Sequence, residues 1–216
     1  MRPLIPPPRK PIVWFALLLL AGTRLPAAPA APGTLPPDSF LQTLSRTRNF
    51  TLGQPRQIQV TPDGSAVLFL RAGPRDPRQS LHVFEVARGS TRELLTADRL
   101  LGGAPENLSP EEQARRERQR VTSAGLVGYT LAPDGVHLLV PLSGRLFWFH
   151  RVTGAVRELP VTPPVTDPRL SPDGRQVAYV RDHDLHVCAI DGRKERRLTA
   201  GGSARLTHGE AEFVAQ

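Results

Sequence analysis

The chain has 216 residues, with 23 Pro, 18 Gly and a single cysteine. That length sets one domain as the default, and the Pro and Gly content suits many short strands and turns better than long helices. The formal charge is +8, but Arg2, Arg9, Lys10 and Arg24 fall in the first thirty residues and the other arginines are scattered, which argues against a nucleic-acid-binding stripe. Cys188 alone can form neither an internal disulfide nor a cysteine-based metal site. Its apolar neighbours Leu185, Val187, Ala189 and Ile190 predict a buried thiol.

Residues 1–30 read as a signal peptide. Arg2, Arg9 and Lys10 form the charged start, and "IVWFALLLLA" (12–21) forms an apolar core of ten residues, shorter than the roughly 20 a membrane span needs. Ala28-Pro29-Ala30 fits the small-residue rule with cleavage before Ala31. The remainder is therefore expected to be exported, to the periplasm or beyond, or held at the membrane if the segment is not cleaved. Residues 31–37, "APGTLPP", form a Pro-rich linker, and a folded region is expected over 38–216.

Three segments then repeat one plan. "RQIQVTPDGSAVLFLRA" (56–72), "VGYTLAPDGVHLLVPLS" (127–143) and "DPRLSPDGRQVAYVRD" (167–182) each hold a strand, Pro-Asp-Gly and a second strand. Third strands follow at 81–86, 146–152 and 185–190. Turns at Arg88-Gly89-Ser90, Thr153-Gly154 and Asp191-Gly192 lead to fourth strands at 91–95, 155–159 and 195–198. Four antiparallel strands in repeat describe a propeller blade. The fold class is thus all-β: a partial β-propeller of about three four-stranded blades. Pro sets φ near −65°, Asp binds backbone N–H groups and Gly accepts positive φ, so Asp63, Asp134 and Asp173 are turn residues rather than acids or bases.

Pro133 and Pro172 lie 39 residues apart but Pro62 and Pro133 lie 71 apart, so residues 96–126 are an insertion. Ser109 as N-cap, Pro110 at the first position and Glu112 at the third predict a capping box and a charged helix from Pro110 to about Val121. Glu111–Arg115 and Glu112–Arg116 are favourable i,i+4 pairs. With only Ala114 and Val121 apolar, the helix is expected to be solvated, to line a cavity or to meet a partner.

The runs "ENLSPEEQARRERQRV", "GLVGYTLAPDG", "DPRLSPDGRQVAYVRDHDLHV" and "GEAEFVAQ" resemble the N-terminal part of bacterial dipeptidyl peptidase IV-type enzymes, of the prolyl oligopeptidase family of serine peptidases. The resemblance covers roughly 38–216. It implies an N-terminal propeller followed by a C-terminal α/β-hydrolase domain with a Ser–Asp–His triad, release of N-terminal dipeptides, and frequent homodimers. It also implies that "AEFVAQ" leads into a Glu-Glu pair that grips the substrate's ammonium. Glu210 and Glu212 match upstream positions and do not take that role. The chain therefore reads as about three blades of the propeller, truncated before that pair, with the hydrolase domain as its missing partner and peptide as substrate only in the full-length context.

No G-x-S-x-G occurs in the sequence, so the chain alone is expected to hold no catalytic residue and to be inactive. The resemblance implies that an arginine of the inserted helix approaches the substrate backbone. The candidates are Arg115, Arg116, Arg118 and Arg120. No cofactor is expected, and no metal, since His183 and His186 in "HDLH" lack a second ligand cluster. Phe147 and Trp148, alternating with Leu146 and Phe149, are expected to pack between blades. The alternative reading is a stand-alone exported propeller module that binds or scaffolds. Three open blades would leave apolar faces uncovered, which predicts an oligomeric or poorly soluble chain.

Overall fold

The computed structural model describes residues 39–210. The expectations for the signal peptide (1–30), the linker (31–37) and the closing "AEFVAQ" lie outside the described residues. The first described element is a short helix, α1 (Phe40–Arg46), capped by the Ser39 side chain.

Three antiparallel meanders follow. The first runs β1 (Arg56–Val60), β2 (Ala66–Ala72), β3 (Arg78–Glu85) and β4 (Ser90–Leu95). The insertion carries α2 (Ala97–Leu101), α3 (Pro110–Arg118) and a two-residue strand β5 (Ala124–Gly125), which pairs parallel with β3. The second meander is β6 (Thr130–Leu131), β7 (His137–Leu142), β8 (Arg145–His150) and β9 (Val156–Glu158). The third is β10 (Thr166–Leu170), β11 (Gln176–Arg181), β12 (Asp184–Ala189) and β13 (Arg196–Arg197). These are the three four-stranded blades the repeat predicts. Two details differ: the insertion has a second helix, and a fifth strand joins the first sheet. Both elements are too short to show a period, five and two residues.

The blades stack through apolar faces. Leu68, Leu70, Leu81 and Val83 of the first blade meet Leu138, Val140, Phe147 and Phe149 of the second, with Leu100 of α2 sealing the same cluster. The opposite face of the second blade, Leu139 and Leu146, meets Val177, Tyr179 and Cys188 of the third. The middle sheet is therefore covered on both sides. This is why "HLLVPL" and "RLFWFH" run almost continuously apolar, where a one-sided strand would alternate. Each large side chain so buried contributes about 1.5–3 kcal/mol. Leu146, Phe147 and Phe149 pack between blades as expected, and Trp148 joins the second cluster partly buried. Cys188 is buried, and desolvation pushes its thiol up to about 11.

The Pro-Asp-Gly turns share one construction. Gly64 N–H donates to Thr61 O, Gly135 N–H to Ala132 O and Gly174 N–H to Ser171 O, all at 2.8–2.9 Å. Asp63 accepts from the Thr61 and Ser65 hydroxyls and the Ser65 N–H. Asp173 accepts from Ser171 Oγ and the Arg175 N–H. Asp134 accepts from the Val136 and His137 N–H groups and from the His137 ring. All three carboxyls act within their own turns. The three glycines have φ of +68°, +67° and +71°.

The turns also interlock. A Cβ at Gly135 would lie 2.8 Å from Cδ of Pro62, and one at Gly174 would lie 3.0 Å from Cδ of Pro133. Each glycine thus seats the proline of the preceding blade's turn. We expect Gly135→Ala, which adds a clash to the strain of positive φ, to destabilise the fold by about 2 kcal/mol. Gly64→Ala, at the same φ but with nothing within 4 Å, should cost only about 1 kcal/mol. Urea denaturation measures both, and equal costs would refute the interlock.

Hydrogen bonds from Thr61 and Ser65 hold the Asp63 carboxyl down at about 2, below its ordinary value near 3.9 in an unfolded chain. Its contribution to stability is therefore complete above about pH 4 and is lost as pH falls toward 2. In Asp63→Asn, acid unfolding between these values should become shallower. An unchanged acid limb would show that the turn carboxyl contributes nothing.

Candidate functional site at the inserted helix

The helix α3 opens as its sequence predicts. Ser109 Oγ accepts from the Glu112 N–H at 3.2 Å, with Pro110 in the first turn. It closes at Arg118, about one turn earlier than expected. Arg120 takes φ of +53°, a left-handed conformation that ends a helix. The capping box is half made. The Glu112 carboxylate accepts instead from Arg115 (2.7 and 2.9 Å) and from Arg116 Nε (2.9 Å). The expected Glu112–Arg116 pair is thus present, while the Glu111 side chain lies outside the described residues.

The pair is not solvated. Glu112 and Arg116 are 8% and 7% exposed. Arg116 Nη1 also lies 3.5 Å from Glu106 Oε2, and Glu106 Oε1 accepts from the Gly125 N–H at 2.5 Å. Gly125 belongs to β5, where a Cβ would fall 2.5 Å from the Gln79 carbonyl oxygen of β3. The chain Glu112–Arg116–Glu106–Gly125 therefore fastens a helix without an apolar face to the first blade. Burial works to raise the Glu112 carboxyl, but the hydrogen bonds from Arg115 and Arg116 outweigh it and hold it below the usual carboxylate range.

The outer side of α3 faces a cavity of about 880 Å³, lined by Ala114, Arg115, Arg118 and Gln119 with Thr166, Asp167 and Arg169 of β10 and with Glu210. A second hollow, of about 420 Å³, is lined by Arg115, Gln57 and Ile58 of β1, and Tyr129 and Thr130. The first strands of all three blades thus border the space beside Arg115. Tyr129 ties two of them together: its hydroxyl donates to the Gln57 carbonyl at 2.6 Å, and burial pushes the pKa of its phenol up, keeping the donor protonated. Arg115 Nη1 donates to Gln119 at 3.0 Å, and Arg169 pairs with Asp167 at 2.8 Å.

The four candidate arginines have distinct places. Arg115 and Arg118 border the large cavity. Arg116 is buried in the carboxylate network. Arg120 is exposed beyond the helix end. A helical period of 3.6 separates these faces, but the sequence alone does not reveal which face meets the blades.

Other chemistry-bearing residues do not assemble there. Among the described residues no group of three or more His, Cys, Asp or Glu could hold a metal. His183 lies 3.3 Å from the Glu210 carboxylate, whereas His186 stacks on Tyr179 with ring centroids 5.7 Å apart. Asp184 is buried. Desolvation would raise its carboxyl, but Thr199, Arg197 and the Gly202 N–H hold it low. Sequence reading did not single out Ser80, His82 and Glu93, which meet on the first blade at i,i+2 and across-strand positions. Ser80 Oγ donates to Glu93 at 2.6 Å and lies 3.0 Å from His82 Nε2. The hydroxyl proton is thus committed to the carboxylate, and the imidazole stacks on Phe69, so this is no serine–histidine–acid relay.

Residues 133–216 match the dipeptidyl peptidase IV (DPP IV) N-terminal region. Over these residues the resemblance to the propeller region of DPP IV-like enzymes is borne out; the match begins in the Pro-Asp-Gly turn after β6 and takes in the rest of the second blade and the third. Solved structures are similar at low identity. TolB from Acinetobacter baumannii is 17% identical over 70% of this chain and 33% of its own, with a TM-score of 0.44. Porphyromonas gingivalis dipeptidyl peptidase 4 is 20% identical over 73% of this chain and 21% of its own, at 0.43. Pyrococcus horikoshii acylaminoacyl peptidase is 11% identical over 68% and 25%, at 0.43. The chain spans a third or less of the length of each of these proteins.

We expect Glu112→Leu to release α3 without melting the blades, because the helix is held by charge and the blades by apolar burial. Hydrogen exchange should then show loss of amide protection over 110–118 with protection in β7, β8 and β11 unchanged. Retained protection over 110–118 would show that the network does not fasten the helix.

Proposed function

We propose that this chain supplies N-terminal propeller blades to an exported DPP IV-like serine peptidase, and that α3 presents Arg115 and Arg118 to the peptide substrate. The observation that carries the reading is the cavity of about 880 Å³ between α3 and β10, beside blades whose sequence matches the DPP IV N-terminal region. A guanidinium has five N–H donors, and Glu112 and Gln119 engage three of those on Arg115. Its remaining donors suit a peptide carbonyl or carboxylate, which the planar fork recognises in fixed geometry. Glu112 and Arg116 act as positioning residues, holding α3 so that Arg115 points consistently. The acyl-transfer groups lie outside this segment in this reading, since no G-x-S-x-G occurs in it.

Export rests on the apolar stretch at 12–21 between a basic start and Ala28-Pro29-Ala30. Reading the gene beyond the Gln216 codon tests the assignment. An in-frame Glu-Glu pair and a downstream G-x-S-x-G support it, and unrelated sequence sinks it. In the resulting enzyme, Arg115→Ala should lower kcat/KM for a dipeptide-releasing substrate roughly 10- to 100-fold, the loss of a charge-assisted hydrogen bond. Arg120→Ala should leave it unchanged. Equal, small effects of the two would remove α3 from substrate binding.

A further inference from the structure

One position of the repeat falls five residues before each Pro-Asp-Gly proline: Gln57, Gly128 and Asp167. All three border the hollow of about 420 Å³ beside Arg115. Its walls come from β1, the lead into β6, β10 and the end of α3. First strands line the central channel of a propeller, so the hollow belongs to that channel and not to a blade face that a neighbouring blade covers. Gln57 is committed to its surroundings: its side-chain amide donates to the Val127 carbonyl at 3.1 Å, and its own carbonyl accepts from Tyr129. Asp167, at φ of +44°, keeps a half-exposed carboxylate paired with Arg169. Gly128 differs from both. Its φ lies outside the left-handed region, and a Cβ there would meet only the Gln57 amide within 4 Å, at 3.9 and 4.0 Å. Neither left-handed backbone nor close packing requires glycine at this point. What the missing side chain provides is space.

The residues around that space suit a peptide. Val127, Tyr129, Pro141 and Pro168 supply apolar wall, while Arg115 and Asp167 border this hollow and the larger cavity alike. Glu112 and, less strongly, Asp167 keep the Arg115 guanidinium charged. A cationic donor and an anionic acceptor at one rim match the C=O and N–H of a peptide backbone. The volume of about 420 Å³ falls within the roughly 300–1,000 Å³ of small-ligand sites. We propose that the hollow opened by Gly128 is a subsite for a large apolar side chain of the peptide, whose backbone lies across Arg115 and Asp167. The subsite rests on the reading of α3 as facing substrate. It adds a preference that the arginine alone cannot exert, since a guanidinium on a backbone carbonyl does not read the side chain.

Isothermal titration of the full chain with tetraglycine carrying a single Leu or a single Ala, placed at each position in turn, tests it. At one position the Leu peptide should bind at least about tenfold tighter than the Ala peptide. In Gly128→Ala, Gly128→Val and Gly128→Leu that ratio should fall stepwise toward one, as the added side chain fills the hollow. Circular dichroism establishes which variants are folded, and the valine variant suffices where the leucine one is not. Arg115→Ala should weaken the Leu and Ala peptides alike and leave their ratio standing. A ratio that survives the valine and leucine variants, while Arg115→Ala weakens both peptides, overturns the subsite and leaves α3 facing substrate. A ratio that follows Gly128, while Arg115→Ala changes nothing, keeps the hollow as a side-chain subsite and removes α3 from binding. If no position discriminates Leu from Ala, the subsite is overturned whatever the gene encodes beyond Gln216.

Discussion

A four-stranded antiparallel sheet with apolar side chains on both faces cannot shield itself, and the arrangement of this chain follows from that constraint. The second blade meets it fully, with Phe147 and Phe149 on one side and Leu139 and Leu146 on the other, all nearly inaccessible to solvent. Apolar burial is non-directional, so it brings the sheets together without fixing their angle or register. The Pro-on-Gly contacts at Gly135, Gly174 and Gly192 add the direction. A ring carbon within about 3 Å of a would-be Cβ leaves a blade little freedom to slide or rotate. The turn motif therefore reverses the chain and also indexes one blade on the next.

The inserted helix obeys a different rule. Having almost no apolar residue, α3 cannot be held by the force that holds the blades. Instead the buried Glu112 and Arg116 and the half-buried Glu106 form a run of alternating charge that ends on a backbone N–H. Breaking such a run strands a charge away from water, so the helix is positioned closely while contributing little to the core. This combination suits an element that must hold two arginines at the edge of a cavity, beside the first strands of three blades.

Several polar clusters that look chemical are structural. Asp63, Asp134 and Asp173 are occupied by their own turns, Asp184 by Thr199, Arg197 and Gly202, and Ser80 by Glu93. In each case the hydrogen-bond partners account for the group, and the cavity at α3 draws its polar character from arginines rather than from a nucleophile and base.

The sequence by itself determined the three blades, their strand order and their turns. Short apolar runs and Pro-Asp-Gly turn chemistry are local, and each hairpin is specified by its own residues. It also determined the start of α3, through Ser109 and Pro110. Only the tertiary structure decided which arginine faces what. Arg115, Arg116 and Arg118 sit on one short helix, and their fates depend on whether a carboxylate from Glu106, ten residues from Arg116 in sequence, lies beneath them. The helix end was likewise set by the left-handed backbone at Arg120. The seating of Pro62 on Gly135 joins residues 73 positions apart, so no local pattern could show it. Long-range contacts of this kind exist only once the blades have stacked, because apolar burial must first bring the turns together.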